Sequence, residues 1–174
     1  IEDHVITSLN YLYDNKLKIG GIYVIEDMLL SQHNNLFYLI IDFNKDINYI
    51  PKNYKIPTGL DFLHCTSNNT IFGTQMNEFP QTDCPLICDM SSDIFSRQLD
   101  FEKFDLIYAG AQKNMGPAGT TLVVVRESVL GNVSRQIPSM LDYKVHISKD
   151  SMFNTPAVFP VYVSMLTLSW LKDQ

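Results

Sequence analysis

Apolar positions along the chain follow two rhythms. Val5, Ile6, Leu9, Leu12 and Tyr13 recur at helical spacing, which predicts a helix over 5–13. Gly20-Gly21 interrupts it. After that the apolar residues come in short continuous runs: GIYVIED (21–27), FYLIID (37–42), LDFLHCT (60–66), PLICDM (85–90), DLIYA (105–109) and TTLVVVR (120–126). Runs that are apolar at nearly every position, without alternation, predict strands buried on both faces. The last run is the densest in β-branched residues, which suit a pleated strand. Residues 71–79 make a further candidate strand, broken by Gly73.

Polar segments separate these runs. NKDINYIPKNYKIPTGLD (44–61), with Pro51 and Pro57, reads as a surface connection. Ser67-Asn68-Asn69 reads as a turn. Thr155-Pro156 predicts the start of a final helix reaching about Lys172, because Thr is a good N-cap and Pro suits the first helical position. Apolar residues nearly surround that helix, which predicts burial on more than one face. Short apolar strands separated by helix-length segments indicate an α/β fold.

Composition narrows the function. The 174 residues are 45% hydrophobic, enough for a real core in one ordinary domain. The net charge is −6 and the 13 basic residues are scattered, so there is no basic face of the kind nucleic-acid binders carry. Cys65, Cys84 and Cys88 are odd in number and form no CxxC pair, which predicts free thiols in a reducing compartment. His4, His33, His64 and His146 are too dispersed to complete a zinc site. No apolar run reaches the length of a membrane span, and the first residues lack the pattern of a signal peptide. The expectation is a soluble cytoplasmic protein without a metal.

Candidate chemistry clusters in four places. In IYAGAQKNMGPAGTTLVVV (107–125), Lys113 follows a strand among glycines and alanines. Small residues let another molecule approach the backbone, and a desolvated lysine there is an amine nucleophile. The plain alternative is a solvated loop lysine. In PLICDMSS (85–92), Asp89 ends an apolar strand, where α/β sheets place ligand-binding groups. The alternative is a turn or cap. CTSNNTIFG (65–73) gathers hydroxyl and amide groups that could meet a ring hydroxyl or a phosphate, or simply form a turn. Asn154-Thr155 stands at the predicted helix start, where phosphate binds readily; the plain alternative is an N-cap.

Five segments then agree with one family. TSNNTIFGTQ (66–75), CDMSSDIFSR (88–97), IYAGAQKNMGPAG (107–119), PSMLDYK (138–144) and NTPAVFPVYV (154–163) resemble, in this order, segments of the phosphoserine aminotransferases. Those are enzymes of fold type I that depend on pyridoxal 5'-phosphate. The resemblance implies that residues 42–174 are part of the large cofactor-binding domain, a mainly parallel sheet flanked by helices, without the family's small domain. It implies a Schiff base between Lys113 and the cofactor, with Lys113 also shuttling the proton. Asp89 would pair with the pyridine nitrogen and Thr70 with the ring hydroxyl. Gln112, Asn154 and Thr155 would contact the phosphate, the last two across a homodimer. The implied reaction is reversible amino transfer between glutamate and 3-phosphohydroxypyruvate, giving phosphoserine in serine biosynthesis.

The sequence departs from the family in some places. The glycine-rich phosphate loop, the tryptophan that stacks on the cofactor ring and the His-Arg pair that reads the substrate phosphate have no counterpart, and the single Trp170 lies in the final helix. Those departures keep a non-catalytic relic open as an alternative. Residues 1–41 do not match the pattern. KLKIGGIYVIEDM (16–28) instead resembles a late strand region of S-adenosylmethionine-dependent methyltransferases, or is an ordinary tight turn.

Overall fold

The computed structural model describes residues 49–50 and 55–173. The predicted helix over 5–13, the strands at 21–27 and 37–42 and the methyltransferase-like segment lie outside the described residues.

Six strands are present among the described residues: β1 (Leu63–Thr66), β2 (Asn68–Asn69), β3 (Thr74–Gln75), β4 (Leu86–Asp89), β5 (Leu106–Gly110) and β6 (Thr121–Val125). Two α-helices follow, α1 (Tyr143–Ser148) and α2 (Val158–Lys172). The main sheet has the order β1-β4-β5-β6. β1 and β5 both run parallel to β4, and β6 closes the sheet antiparallel to β5. This is the α/β class that the apolar runs predict, with the mainly parallel sheet that the family resemblance implies.

Register sorts the side chains onto two faces, because successive residues in a strand point opposite ways. Cys65, Cys88 and Ile107 lie side by side across three strands. With Leu63 and Ala109 they are fully buried and meet Met76, Met90, Ile94 and Phe104. Phe79 packs edge-on against Phe104 at 4.8 Å. Each large apolar side chain buried here contributes about 1.5–3 kcal/mol. Burial pushes the Cys88 thiol well above its ordinary pKa, with the neighbouring Cys65 adding to the effect. The cysteines act as small core hydrophobes. Thr66, Asp89 and Tyr108 align across the same three strands on the other face.

The N-terminal edge of the sheet is tied by Asp105. Its carboxylate accepts a hydrogen bond from Leu86 N at 2.9 Å and pairs with Arg126 Nε at 3.0 Å.

Two expectations need correction. The final helix starts at Val158, with Ala157 as its cap and no side-chain capping bond, so Thr155 is not the cap. Pro160 explains the shift. A helix opened at Pro156 would put Pro160 at its fifth position, where the missing N–H breaks a turn and the ring meets the carbonyl of Pro156. Starting at Val158 puts Pro160 in the first turn, where no N–H is needed, and the first turn closes from Val161 N to Ala157 O at 3.1 Å. Nor is the helix buried on several faces: only Ser164 is buried, while Phe159, Tyr162, Leu166 and Trp170 are exposed. Its all-round apolar pattern therefore exceeds what this chain covers. The strand expected over 71–79 is instead a two-residue arm, Thr74–Gln75, hairpinned onto Asn68–Asn69. None of the helices among the described residues is long and apolar enough to cross a membrane.

Candidate active site

The C-terminal ends of the parallel strands β1, β4 and β5 converge on one edge of the sheet, where open α/β folds bind ligands. Three loops leave that edge, and each carries one of the residues singled out in the sequence.

The first loop is the β2-β3 hairpin. Asn69 Oδ1 accepts from Ile71 N at 3.0 Å and from Phe72 N at 3.2 Å, so a buried amide fixes the turn. Thr70 stands exposed on that turn. The hairpin is fastened from below. Ser67 is fully buried, and its hydroxyl gives its one proton to Asp93 Oδ1 while lying 3.1 Å from Asp89 O. Gln75 Nε2 donates to Asp93 Oδ2 at 3.1 Å.

The second loop follows β4. Asp89, the last residue of the strand, is 8% exposed. Its Oδ1 accepts from Ser91 N at 2.8 Å and Ser91 Oγ at 2.6 Å. Its Oδ2 has no hydrogen bond among the described residues. Ser92 Oγ donates to Asn68 O at 2.8 Å and meets Asn68 Nδ2 at 2.9 Å, which joins this loop to the hairpin.

The third loop follows β5. Ala111 N bonds Thr120 O at 2.9 Å, and Ala111 O accepts from Met115 N and Gly116 N at 3.1 and 2.8 Å. These bonds close a tight turn that presents Lys113. Lys113 is exposed, and its Nζ donates to Thr70 Oγ1 at 2.8 Å. Gln112 folds back over Gly110: a Cβ at Gly110 would lie 2.5 Å from Gln112 Oε1. Gly116 and Gly119 bring this loop against α2. A Cβ on Gly116 would lie 2.9 Å from Ser164 Oγ, and one on Gly119 3.0 Å from Pro160 Cγ.

The structure thus brings Lys113 and Thr70 into contact and sets Asp89 on the neighbouring strand end. Asn154 and Thr155 stand apart, exposed ahead of α2. Asn154 Nδ2 reaches only Thr155 O, at 3.4 Å, and neither residue is hydrogen-bonded to Lys113, Thr70, Asp89 or Gln112. The broad concavity of about 910 Å³ lined by Phe62, Ile87, Leu106 and Val125 contains none of the six candidates. The buried carboxylate and the lysine sit instead at the strand ends.

Beneath Asp89, on the same sheet face, lies His64, 5% exposed. Its Nε2 is 3.1 Å from the Tyr108 hydroxyl. Burial pushes its pKa from 6.5 down to about 4, against the opposing pull of the Asp89 charge. Sequence reading singled out Asp89 and passed over His64, Ser91, Ser92 and Asp93. The cue for Ser91 was present, since an Asp two residues before a Ser is a common side-chain turn.

Residues 25–174 match the model of the aminotransferase class-V family, and the chain belongs to that family. The match begins at residue 25, so the expectation that residues 1–41 lie outside the family's pattern is corrected for residues 25–41. Within the family the chain is similar to the phosphoserine aminotransferase of Flavobacterium johnsoniae, at 69% identity over 136 residues, 77% of this chain and 38% of that protein. It is 59% identical to that of Azobacteroides pseudotrichonymphae over 73% of this chain and 35% of that protein. Among solved structures it is similar to the phosphoserine aminotransferase from Bacillus circulans subsp. alkalophilus, with TM-score 0.75 and 34% identity over 91% of this chain and 46% of that one. The phosphoserine aminotransferase with bound PLP from Trichomonas vaginalis aligns with TM-score 0.66 and 32% identity, over 72% of this chain and 38% of that one. The chain thus spans a little over a third of the length of these curated relatives.

Proposed function

We propose that this chain carries the cofactor-lysine half of a phosphoserine aminotransferase site, for reversible amino transfer between glutamate and 3-phosphohydroxypyruvate in serine biosynthesis. Residues 42–174 are then part of the large cofactor-binding domain of a cytoplasmic homodimer. The observation that carries the reading is the 2.8 Å bond from Lys113 Nζ to Thr70 Oγ1, made beside a buried carboxylate at the C-terminal edge of a parallel sheet.

The residues suit pyridoxal phosphate. Asp89 holds one oxygen in its own turn and leaves Oδ2 without a hydrogen bond among the described residues, so a protonated ring nitrogen has an acceptor there. Thr70 offers a hydroxyl to the ring oxygen, and Gln112, with Asn154 and Thr155 of a second subunit, offers amide and hydroxyl donors to the phosphate. When bound, the cofactor supplies an electron sink for the carbanion formed at the substrate's α-carbon. Lys113 would hold the cofactor through its amine and would carry a proton to and from that carbon. Its exposure leaves its Nζ within reach of an incoming substrate.

The test is an absorbance spectrum of the purified chain with added pyridoxal phosphate, before and after borohydride, with the labelled peptide sequenced. A visible band reduced onto Lys113 supports the reading. No band, or label on another lysine, overturns it.

A further inference from the structure

We infer that Ser91 is the positioning residue of this site: one hydroxyl that fixes the orientation of Asp89 and, with the same atom, ties down the strand end leading to Lys113. The inference rests on the proposed cofactor reading and assigns a role to a side chain that touches neither cofactor nor substrate.

Three bonds carry it. Ser91 Oγ donates to Asp89 Oδ1 at 2.6 Å. Ser91 N donates to the same oxygen at 2.8 Å. Gly110 N, from the next strand, donates to Ser91 Oγ at 3.1 Å. The hydroxyl therefore gives its one proton to the carboxylate and accepts from the backbone of β5. This uses its single donor and one of its lone pairs.

Its place in the ladder explains why the contact matters. β4 ends at Asp89, and the last backbone bond between the two strands runs from Met90 N to Tyr108 O at 2.9 Å. The next N–H of β5 on that side belongs to Gly110. No β4 backbone carbonyl is bonded to it, and Ser91 Oγ takes the place of one. The serine extends the sheet by one step beyond the strand. Gly110 is followed by Ala111, whose carbonyl closes the turn presenting Lys113. The acid and the lysine are thus referred to one another through a single side-chain oxygen.

The two bonds on Oδ1 also decide which carboxylate oxygen is left for a ligand. With Oδ1 held twice, the orientation of the group is fixed, and Oδ2 is the oxygen without a hydrogen bond among the described residues. Hydrogen bonds to charged groups are among the stronger ones in proteins. The local bond from Ser91 N would form in any tight turn after an Asp. The bond to Gly110 N joins residues distant in sequence, and a turn alone does not explain it.

The test compares Ser91→Ala and Ser91→Thr with the unsubstituted chain. In Ser91→Ala we expect about tenfold weaker binding of pyridoxal phosphate, the loss anticipated for a hydrogen bond to a charged group. We also expect a moved pH midpoint of the bound cofactor's visible band, and about tenfold faster amide exchange at Gly110. Ser91→Thr, which keeps the hydroxyl, should restore all three. In an Asp89→Asn background, Ser91→Ala should change cofactor affinity less than twofold, because the serine acts through the acid. Unchanged Gly110 exchange in Ser91→Ala overturns the inference, as do equal losses with Ala and Thr or fully additive effects in the double variant. Should the unsubstituted chain take up no cofactor, the proposed function fails, while the Gly110 exchange measurement still decides whether Ser91 joins the two strand ends.

Discussion

Lys113 Nζ and Thr70 Oγ1 lie 2.8 Å apart although 43 residues separate them in sequence. Neither side chain is buried, so packing does not impose the contact. It exists because two rigid turns face each other, one fixed by Asn69 and the other by Ala111.

Replacing Lys113 should therefore leave the fold intact. Surface substitutions away from packed or strained features usually stay within about 0.5 kcal/mol. Lys113→Ala is expected to unfold in urea at the wild-type midpoint while losing all borohydride-trapped cofactor. A visible band that survives the substitution would remove Lys113 from its assigned role.

How far the sequence foretold this arrangement depended on how each element announces itself. β4, β5 and β6 appear within a residue of the apolar runs that predict them, but burial on both faces fails for β6, an edge strand on which Thr121 and Val124 are exposed. The β2-β3 hairpin was not legible. Its arms are Asn68–Asn69 and Thr74–Gln75, polar pairs too short for any alternation, held by the Ser67, Asp93 and Gln75 side chains. The start of α2 was misread because Thr155-Pro156 imitates a helix opening and the veto lies downstream in Pro160. At the site, the strand-end positions of Lys113 and Asp89 were legible, while the roles proposed for them came from the family resemblance and not from position. Ser91 and His64 were not, because their roles depend on bonds across strands that no local pattern encodes.

Gly119 supplies a test of how the lysine loop meets α2. Its φ of +116° lies where side chains rarely go, and a Cβ there would meet Pro160 Cγ at 3.0 Å and Ala157 Cβ at 3.3 Å. Gly119→Ala combines backbone strain with a clash against a rigid ring, so it should cost about 1–3 kcal/mol. Urea unfolding measures it, and a midpoint equal to wild type would show that the loop does not rest on Pro160.

His64 predicts a pH dependence with a definite sign. Its pKa falls from 6.5 to about 4 on folding, chiefly through burial. Between those values the unfolded chain holds a proton that the folded chain does not, so stability rises with pH. The contribution is complete above pH 6.5 and is lost as pH falls toward 4. By pH 4.5 the loss should be about 2 kcal/mol. Urea unfolding at pH 7 and pH 4.5 should therefore separate wild type from His64→Gln, with the variant falling less steeply. Equal slopes would assign the acid sensitivity to other groups.

Asp93 predicts a link between stability and the position of Thr70. It is 3% exposed. Its Oδ1 accepts from Ser67 Oγ, just before the hairpin, and its Oδ2 accepts from Gln75 Nε2 at 3.1 Å, at the far arm. Arg97 Nη2 approaches Oδ2 at 3.5 Å. One carboxylate therefore clamps both ends of the hairpin whose tip meets Lys113. Asp93→Ala removes an acceptor from Ser67 Oγ, which keeps Asp89 O, and from Gln75 Nε2, and removes the charge beside Arg97, which keeps Met76 O and Asn77 Oδ1, so it should cost about 2 kcal/mol. Asp93→Asn can still accept from Ser67 and gives up mainly the charge opposite a partly exposed arginine, so it should cost about 1 kcal/mol. The loss should also be local. Amide exchange over residues 68–75 should quicken in Asp93→Ala more than in α2, because the short β2-β3 pairing depends on side-chain bonds, of which those to Asp93 hold both of its ends. If α2 and the hairpin quicken together, Asp93 supports the whole fold and does not set the position of Thr70.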